Sequence, residues 1–263
     1  MANSTQPRSP FAGSIDFSDD RHLRSIGREQ LARVLEAHEL YVKSGQRSGK
    51  RANLDSTDLT GKTFAGMKLW HIRLQRANLA GADFTNADLR RAILIGASMP
   101  GGRLTAADLT RGRLSGIKLT DADCRGACLA EVDIEFGILA NSDFRNADFH
   151  DADMSGVVLD GADLSGVNLR RANLRGASFQ GTHLCGADLR EAQMGGAMFT
   201  RTSFKGADLR GAYLRVAKFH CTDLSGADLR GVRELTIEQI RFTIRDADTR
   251  LPHDLIAEPG DGY

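Results

Sequence analysis

The chain has 263 residues, with 35 Lys and Arg against 34 Asp and Glu, so its formal net charge is +1. This balance argues against a general nucleic-acid-binding protein, which normally carries a basic excess. No run of about 18 apolar residues occurs, and no signal peptide is visible at the N-terminus. We therefore expect a cytoplasmic protein with no membrane partner and no direct nucleic-acid binding.

The first 50 residues divide into two segments. Residues 1–20 lack apolar periodicity and are rich in Ser and Asp, which predicts a disordered N-terminus. Residues 21–50 place Leu31, Val34 and His38 along one stripe of a helix. Because the open end of a sheet needs cover, we expect this second segment to be a helical N-terminal cap.

A five-residue repeat occupies residues 51–232. Every fifth residue from Leu54 to Leu229 is apolar, and we call these 36 positions the repeat centres. The residue two positions before the centre is Ala in 21 repeats, the residue directly before it is Asp or Asn in 18, and the residue two positions after it is Gly in 18. A period of five fits neither a helix nor a plain strand. It indicates a short extended piece with two inward side chains, followed by a turn at the glycine.

Four such pieces would close one square coil, and stacked coils would pair their backbone groups. Residues 52–231 resemble the pentapeptide-repeat proteins, whose unit reads A(D/N)LxG or close to it. The resemblance implies an all-β fold, a right-handed quadrilateral parallel β-helix, and 36 repeats would make about nine coils of this solenoid. The handedness comes from the resemblance alone. In this arrangement residues four repeats apart stack, so Phe179, Phe199 and Phe219 should form one column of the structural core.

Residues 233–263 carry the signals of a second helix. Thr236 and Gln239 have the spacing of a capping box, and Ile237, Ile240 and Ile244 fall on one helical face. This pattern predicts a helical C-terminal cap and tail. Some pentapeptide-repeat proteins dimerise through such a helix, so the resemblance also implies a possible homodimer through a terminal helix.

Motifs of known enzyme chemistry are missing from the sequence. It contains no P-loop, no dinucleotide fingerprint, no His-Glu-x-x-His and no Gly-x-Ser-x-Gly. The repeat phase sends Cys124 inward and Cys128 outward, so the two thiols cannot share a metal ion. We therefore predict no catalytic, cofactor-binding or metal-binding residue, no cofactor and no enzymatic activity.

Acidic residues concentrate in the middle of the repeat region. Residues 121–163 carry 11 acidic and 2 basic side chains. Two interpretations stay open for the carboxylates that the coil geometry gathers there: an ion-pair ladder with Arg111 and Arg171, or an acidic patch that binds a partner. The stacked, outward Ile138 and Val158 are a second, apolar candidate contact. The candidate acidic patch consists of Glu131, Asp133, Glu135, Asp151 and Asp153.

Two functions are compatible with the repeat. The favoured one is a non-catalytic scaffold that binds an unknown protein partner through its stacked outer faces. The alternative is a DNA-mimicking ligand of DNA gyrase or another topoisomerase, related to the quinolone-resistance pentapeptide proteins. Charge speaks against the alternative, because residues 51–231 sum to +2, whereas an imitation of DNA should be acidic along its length.

Overall fold

The computed structural model describes residues 23–255, and the segment 1–20 predicted to be disordered lies outside them. Within the described part, neither α-helix has the length and apolar character that crossing a membrane demands. The regular elements are helix α1 (Arg28–Lys43), strands β1 (Met198–Thr200) and β2 (Lys218–His220), helix α2 (Ile237–Ile240) and a 3-10 turn (His253–Leu255).

Between the two helices the chain winds as a solenoid with four repeats in each coil. Strands β1 and β2 pair in parallel with Phe199 opposite Phe219. Single parallel bridges join residues four repeats apart in the same way, from Asn53 with Arg73 to Tyr213 with Arg233. Extended stretches stay short because every repeat must also turn a corner, so few of them are long enough to count as strands.

The repeat centres fall on four faces, which we number in chain order. Face 1 begins at Leu54, face 2 at Leu59, face 3 at Phe64 and face 4 at Leu69, and each face recurs once in every coil. All of the repeat centres are buried. The residue two positions after each centre, which we call the corner residue, leads the chain from one face to the next.

In the repeat of residues 83–87, every backbone N–H group has an acceptor. Three of these groups donate to carbonyls of the neighbouring coils, and the N–H of Ala87 donates across the corner to the carbonyl of Phe84 at 2.9 Å. The remaining N–H, that of Thr85, donates to the carboxylate of Asp83 at 2.9 Å. Asp or Asn before the centre is therefore favoured because its side chain accepts from the one N–H that the coil leaves unpaired.

Every corner residue has a positive φ, whether it is glycine or another residue type. A positive φ at the third position is the geometry of a type II turn, and glycine adopts it at the lowest cost. The glycine preference of the repeat thus reflects backbone geometry, which other residues also follow when they occupy a corner.

The interior is filled by columns of stacked side chains. The ring centroids of Phe179 and Phe199 lie 5.2 Å apart, and those of Phe199 and Phe219 lie 5.1 Å apart. Phe64 and Phe84 stack in the same way, with centroids 4.7 Å apart. These distances are typical of offset aromatic packing, which leaves room only for small side chains opposite the rings.

At the N-terminal end, helix α1 packs on the first coil and lies inside the segment for which a helix is predicted. Leu31 and His38 are its buried residues. The imidazole Nδ1 of His38 accepts a hydrogen bond from the N–H of Ala52 at 3.1 Å. Ahead of the helix, Arg24 forms a parallel bridge with Thr57, so the chain also adds a strand position to the first coil.

The C-terminal end differs from the predicted helical cap. The capping box of Thr236 and Gln239 is present, but helix α2 is a single turn that ends at Ile240. Ile244 is 57% exposed and its carbonyl accepts from the N–H of Leu224 at 2.8 Å. The physical reason is that the last coil needs acceptors for its N–H groups, and an extended chain supplies them where a longer helix would use its own carbonyls.

Candidate functional site

The five carboxylates of the candidate acidic patch lie on two successive coils, at face 1 and the corner that leads into it. Two of them are neutralised by arginines. Arg111 donates to Glu131 through Nε at 2.8 Å, and Arg171 donates to Asp151 through Nε at 2.7 Å. Hydrogen bonding to these guanidinium groups lowers the pKa of Glu131 and of Asp151. For this pair of carboxylates, the ion-pair ladder is the arrangement that the structure contains.

The other three carboxylates have no cation partner. Asp133 accepts from the Ser115 hydroxyl at 2.9 Å, and Asp153 accepts from the Asn173 amide at 2.9 Å. Within residues 23–255, no Lys, Arg or His nitrogen lies within 4.0 Å of the carboxylate oxygens of Asp133, Asp153 or Glu135. We call these three residues the unpaired acidic cluster.

The pKa of Glu135 shows the electrostatic effect of this cluster. Burial is the largest cause that raises its pKa, and the charges of Asp153 and Asp133 raise it further. Its main polar neighbour is a neutral group, the Ser155 hydroxyl at 3.3 Å. Negative charge is therefore concentrated at this point of face 1 with no cation of residues 23–255 in contact, between Arg113 on the preceding coil and Arg175 on the following one, and it favours a positively charged group from outside.

The candidate apolar contact lies on the neighbouring face. Ile138 and Val158 form a parallel bridge on face 2, and Ile138 is 37% exposed. Between them and the unpaired acidic cluster stands Phe136, a corner residue with φ of 56° whose side chain is 69% exposed. Its ring lies over the next corner, where a Cβ added to Gly156 would be 2.7 Å from two ring carbons.

Sequence reasoning missed Phe136 although a signal exists. It is the only Phe, Tyr or Trp among the corner residues. The turn preference of this position points to glycine and to charged substitutes, so a single aromatic residue there is easily overlooked. An exposed aromatic side chain at a position that favours glycine needs a reason other than folding.

Asp and Arg alternate in ladders along faces 3 and 4. Arg125 donates to the Asp123 carboxylate at 2.8 and 2.7 Å and lies 3.7 Å from the Asp143 carboxylate one coil on. Hydrogen bonding from Arg125 is the main cause that lowers the pKa of Asp123 to about 2. The carboxylates of these ladders contact arginines, unlike those of the unpaired acidic cluster. Their members are Asp123, Arg125, Asp143, Arg145 and Asp163 on face 3 and Asp188, Arg190, Asp208, Arg210, Asp228 and Arg230 on face 4.

All four cysteines are free thiols, and Cys221 is the exposed one. Cys124 is fully buried, and burial raises the pKa of its thiol. Cys128 and Cys185 are half-buried and contact the hydroxyls of Thr110 and Ser203. Across the part of the chain that the structure describes, no group of three or more His, Cys, Asp or Glu residues is arranged to hold a metal ion.

Comparison with known proteins identifies the repeat. A family model described as pentapeptide repeats matches in eight copies, over residues 72–111, 103–135, 127–166, 168–206 and 199–233. No curated protein matches the chain. Among solved structures, HetL, a pentapeptide repeat protein involved in heterocyst differentiation regulation from the cyanobacterium Nostoc sp. strain PCC 7120, is 28% identical over 80% of this chain and 93% of its own, with a TM-score of 0.44. QnrB1, a plasmid-mediated fluoroquinolone resistance protein, is 19% identical over 72% of this chain and 94% of its own, with a TM-score of 0.29.

Proposed function

The chain belongs to the pentapeptide-repeat family, and from this membership we propose that it is a non-catalytic scaffold that binds a protein partner through its outer faces. The observation that carries the proposal is the unpaired acidic cluster beside the exposed ring of Phe136. Elsewhere on the solenoid, inward residues pack the core and many outward carboxylates pair with arginines of the same or the next coil. This surface instead combines carboxylates that no cation of the described residues contacts with the exposed apolar ring of Phe136.

We also propose that the two ends of the solenoid are capped and that the 36 repeats form nine coils. Contacts of helix α1 support a cap at the N-terminal end, since the imidazole Nδ1 of His38 accepts from the N–H of Ala52 at 3.1 Å. At the other end, the Gln239 amide donates to the carbonyls of Leu214 and Ala217 at 2.9 and 2.8 Å. Such caps would prevent end-to-end association of coils, so we favour binding at a face over binding at an end.

We also propose that the protein has no catalytic activity. An enzyme needs groups with shifted pKa values that converge on one reacting atom. Among the described residues, the lowered carboxylate pKa values at Asp123 and Asp188 have nearby arginines as their main cause, and those arginines occupy the carboxylate oxygens. These acids are engaged in structure and are poorly suited to act as general bases.

Partner capture tests the scaffold proposal. We would neutralise the unpaired acidic cluster with Asp133→Asn, Glu135→Gln and Asp153→Asn, which keep the acceptor oxygens. The full chain and this variant would then be used as baits in the cytosol of the source organism. We expect one or more partners that the native chain retains and the variant loses.

A matched control removes the same charge elsewhere. Asp58→Asn, Asp83→Asn and Asp108→Asn alter three carboxylates that lie on other faces and accept from backbone N–H groups at 3.1, 2.9 and 3.0 Å. This control should capture the same partners as the native chain. Equal capture by all three proteins, with unchanged folding, would contradict the scaffold proposal at this surface.

The gyrase-ligand alternative makes a different prediction. A DNA imitation requires acidic faces along the length of the rod, whereas the acids of faces 3 and 4 are paired with Arg125, Arg190 and other arginines in ladders. A supercoiling assay with DNA gyrase, run with and without a quinolone, separates the two functions. We expect neither inhibition nor protection of gyrase at micromolar protein.

A further inference from the structure

Phe136 presents an aromatic ring to solvent in a fixed position. The ring is seated over Gly156, where a side chain would collide with it, and 69% of the residue remains exposed. Ile138 and Val158 continue the apolar surface onto face 2. We call Phe136, Ile138 and Val158 the apolar ridge.

The charges around the ridge differ on its two sides. Toward face 1 it borders Glu135 and, on the next coil, Asp153, neither of which has a cation partner within residues 23–255. Toward the N-terminus, Lys118 forms a bridge with Ile138 on face 2. A ligand that places an apolar group on the ridge would therefore have its positive charge on the side of face 1 and not beside Lys118.

We propose that the apolar ridge and the unpaired acidic cluster together form a docking surface for a basic segment of a partner protein, in which an apolar side chain is flanked by Lys or Arg. The apolar side chain packs on Phe136 and Ile138, and the flanking cations bind the carboxylates of face 1. This inference rests on the proposed scaffold function and adds the chemistry of the partner. Charge complementarity is the reason for choosing a basic segment over an acidic one or a second copy of this chain placed cluster to cluster.

The corner conformation of Phe136 allows a variant that removes the ring without harming the fold. Glycine accepts the positive φ of this corner better than phenylalanine does, so Phe136→Gly should keep or raise the melting temperature. Val216 occupies an equivalent corner between faces 1 and 2, with φ of 51° and 69% exposure. Val216→Gly is the matched control, because it makes the same kind of change four coils away.

The experiment uses the full chain and fluorescein-labelled peptides of the form Lys-Lys-X-Lys-Lys, with X as Phe, Leu or Gly, and Glu-Glu-Phe-Glu-Glu as the reversed-charge probe. Binding is followed by fluorescence polarisation, and amide chemical shifts map the contact. We expect the Phe and Leu peptides to bind and to shift residues 133–158. Phe136→Gly should weaken this binding by about tenfold or more, and Val216→Gly should leave it unchanged.

Three outcomes would overturn the inference: no binding of any basic peptide at millimolar concentration, equal binding of the Phe and Gly peptides, or equal binding by Phe136→Gly and the native chain. Any of these would leave the scaffold function to be decided by partner capture. If neutralising the acidic cluster removes a native partner and the peptides do not bind, the scaffold function stands. The chemistry proposed here for the partner is then rejected.

Discussion

Each corner of the solenoid holds one residue in a left-handed backbone conformation, whatever its side chain. Glycine fills half of these corners because it has no Cβ to clash with the neighbouring carbonyl. Asn, Asp, Arg and Glu fill most of the rest, and Val216 is the one β-branched aliphatic residue among them. The backbone strain of a non-glycine corner residue is confined to that corner, so a single substitution can relieve it.

Val216→Gly should therefore stabilise the protein by about 1 kcal/mol, because a β-branched residue fits poorly at a φ of 51°. Urea unfolding of the native chain and the variant measures this change. The reciprocal substitution is Gly176→Val at the same type of corner, where an added Cβ meets no atom within 4 Å. It should destabilise by a similar amount, and a loss of stability in Val216→Gly would contradict the backbone explanation.

Much at the residue scale could be predicted from the sequence, since the phase of the repeat distinguishes buried centres from outward positions. Because the two inward side chains of each piece flank the Asp or Asn before the centre, the phase also places that residue on the outside. Its role as the acceptor for a particular N–H, as Asp83 shows with Thr85, required the coordinates. The partition of the candidate acidic patch into paired and unpaired carboxylates also depends on rotamers that bring Arg111 and Arg171 into contact.

Among the elements, helix α1 is attached to the solenoid by a buried histidine. His38 is fully buried, accepts from the N–H of Ala52 through Nδ1, and has an Nε2 without a hydrogen-bond partner among the described residues. Burial is the main cause that lowers the pKa of His38, and the nearby charges of Arg51 and His71 lower it further. The folded state therefore favours the neutral imidazole, whose Nδ1 accepts from the N–H of Ala52.

Acidification should loosen helix α1. The ordinary pKa is 6.5 and the folded value is lower, so the unfolded state binds more protons and stability falls as the pH drops below 6.5. Amide hydrogen exchange of residues 28–43 at about pH 7.5 and about pH 5.5, corrected for intrinsic rates, measures the effect. We expect weaker protection at the lower pH, and His38→Gln should remove most of the difference because glutamine does not titrate.

His71 provides the control for this prediction. Burial lowers the pKa of His71 as well, and the charges of Arg51 and Arg91 lower it further. His71 does not form the hydrogen bond to Ala52 by which His38 joins helix α1 to the first coil. His71→Gln should therefore retain most of the pH dependence of helix α1. Equal protection of the helix at both pH values in the native chain would contradict a titrating His38.

The two ends of the chain show why elements at the margins of a repeat are harder to predict. Leu31 and His38 follow a helical stripe over several turns, and a helix is present there. Ile237, Ile240 and Ile244 have the same spacing, but only Ile240 is buried. Periodicity cannot show that the last coil still lacks hydrogen-bond acceptors, which the chain after helix α2 supplies.

For the whole molecule, stability is a sum of contacts between neighbouring coils. Phe199 lies at the centre of the column that links three coils, so Phe199→Ala should cost about 3–5 kcal/mol. Hydrogen exchange should show that the loss of protection is concentrated in residues near the column. Phe64→Ala should instead affect the coils near helix α1, and uniform loss of protection in both variants would contradict stability built from local contacts.

The long-range arrangement follows from the sequence to an unusual extent, because an unbroken period places every residue once the number of repeats per coil is known. The stacking of Ile138 on Val158 is an example. What the period cannot predict is the use of the outer surface, since Phe136 and Glu135 lie outside the repeat consensus and Asp133 and Asp153 look like any other Asp before a centre. The proposed function therefore rests on Phe136 and Glu135, which depart from the pattern, together with Asp133 and Asp153, which follow it.

The register of four repeats per coil underlies every surface described above, and distances between spin labels test it most directly. One label would replace Ser178 and the other Ser98, Asn78 or Asp58, all in the same outward column of face 2, with the cysteines that are not buried replaced by serine. A rise of about 4.8 Å per coil predicts separations that increase through about 19, 24 and 29 Å. Separations that fail to grow by one equal step per coil would contradict the stacked coils and, with them, the docking surface.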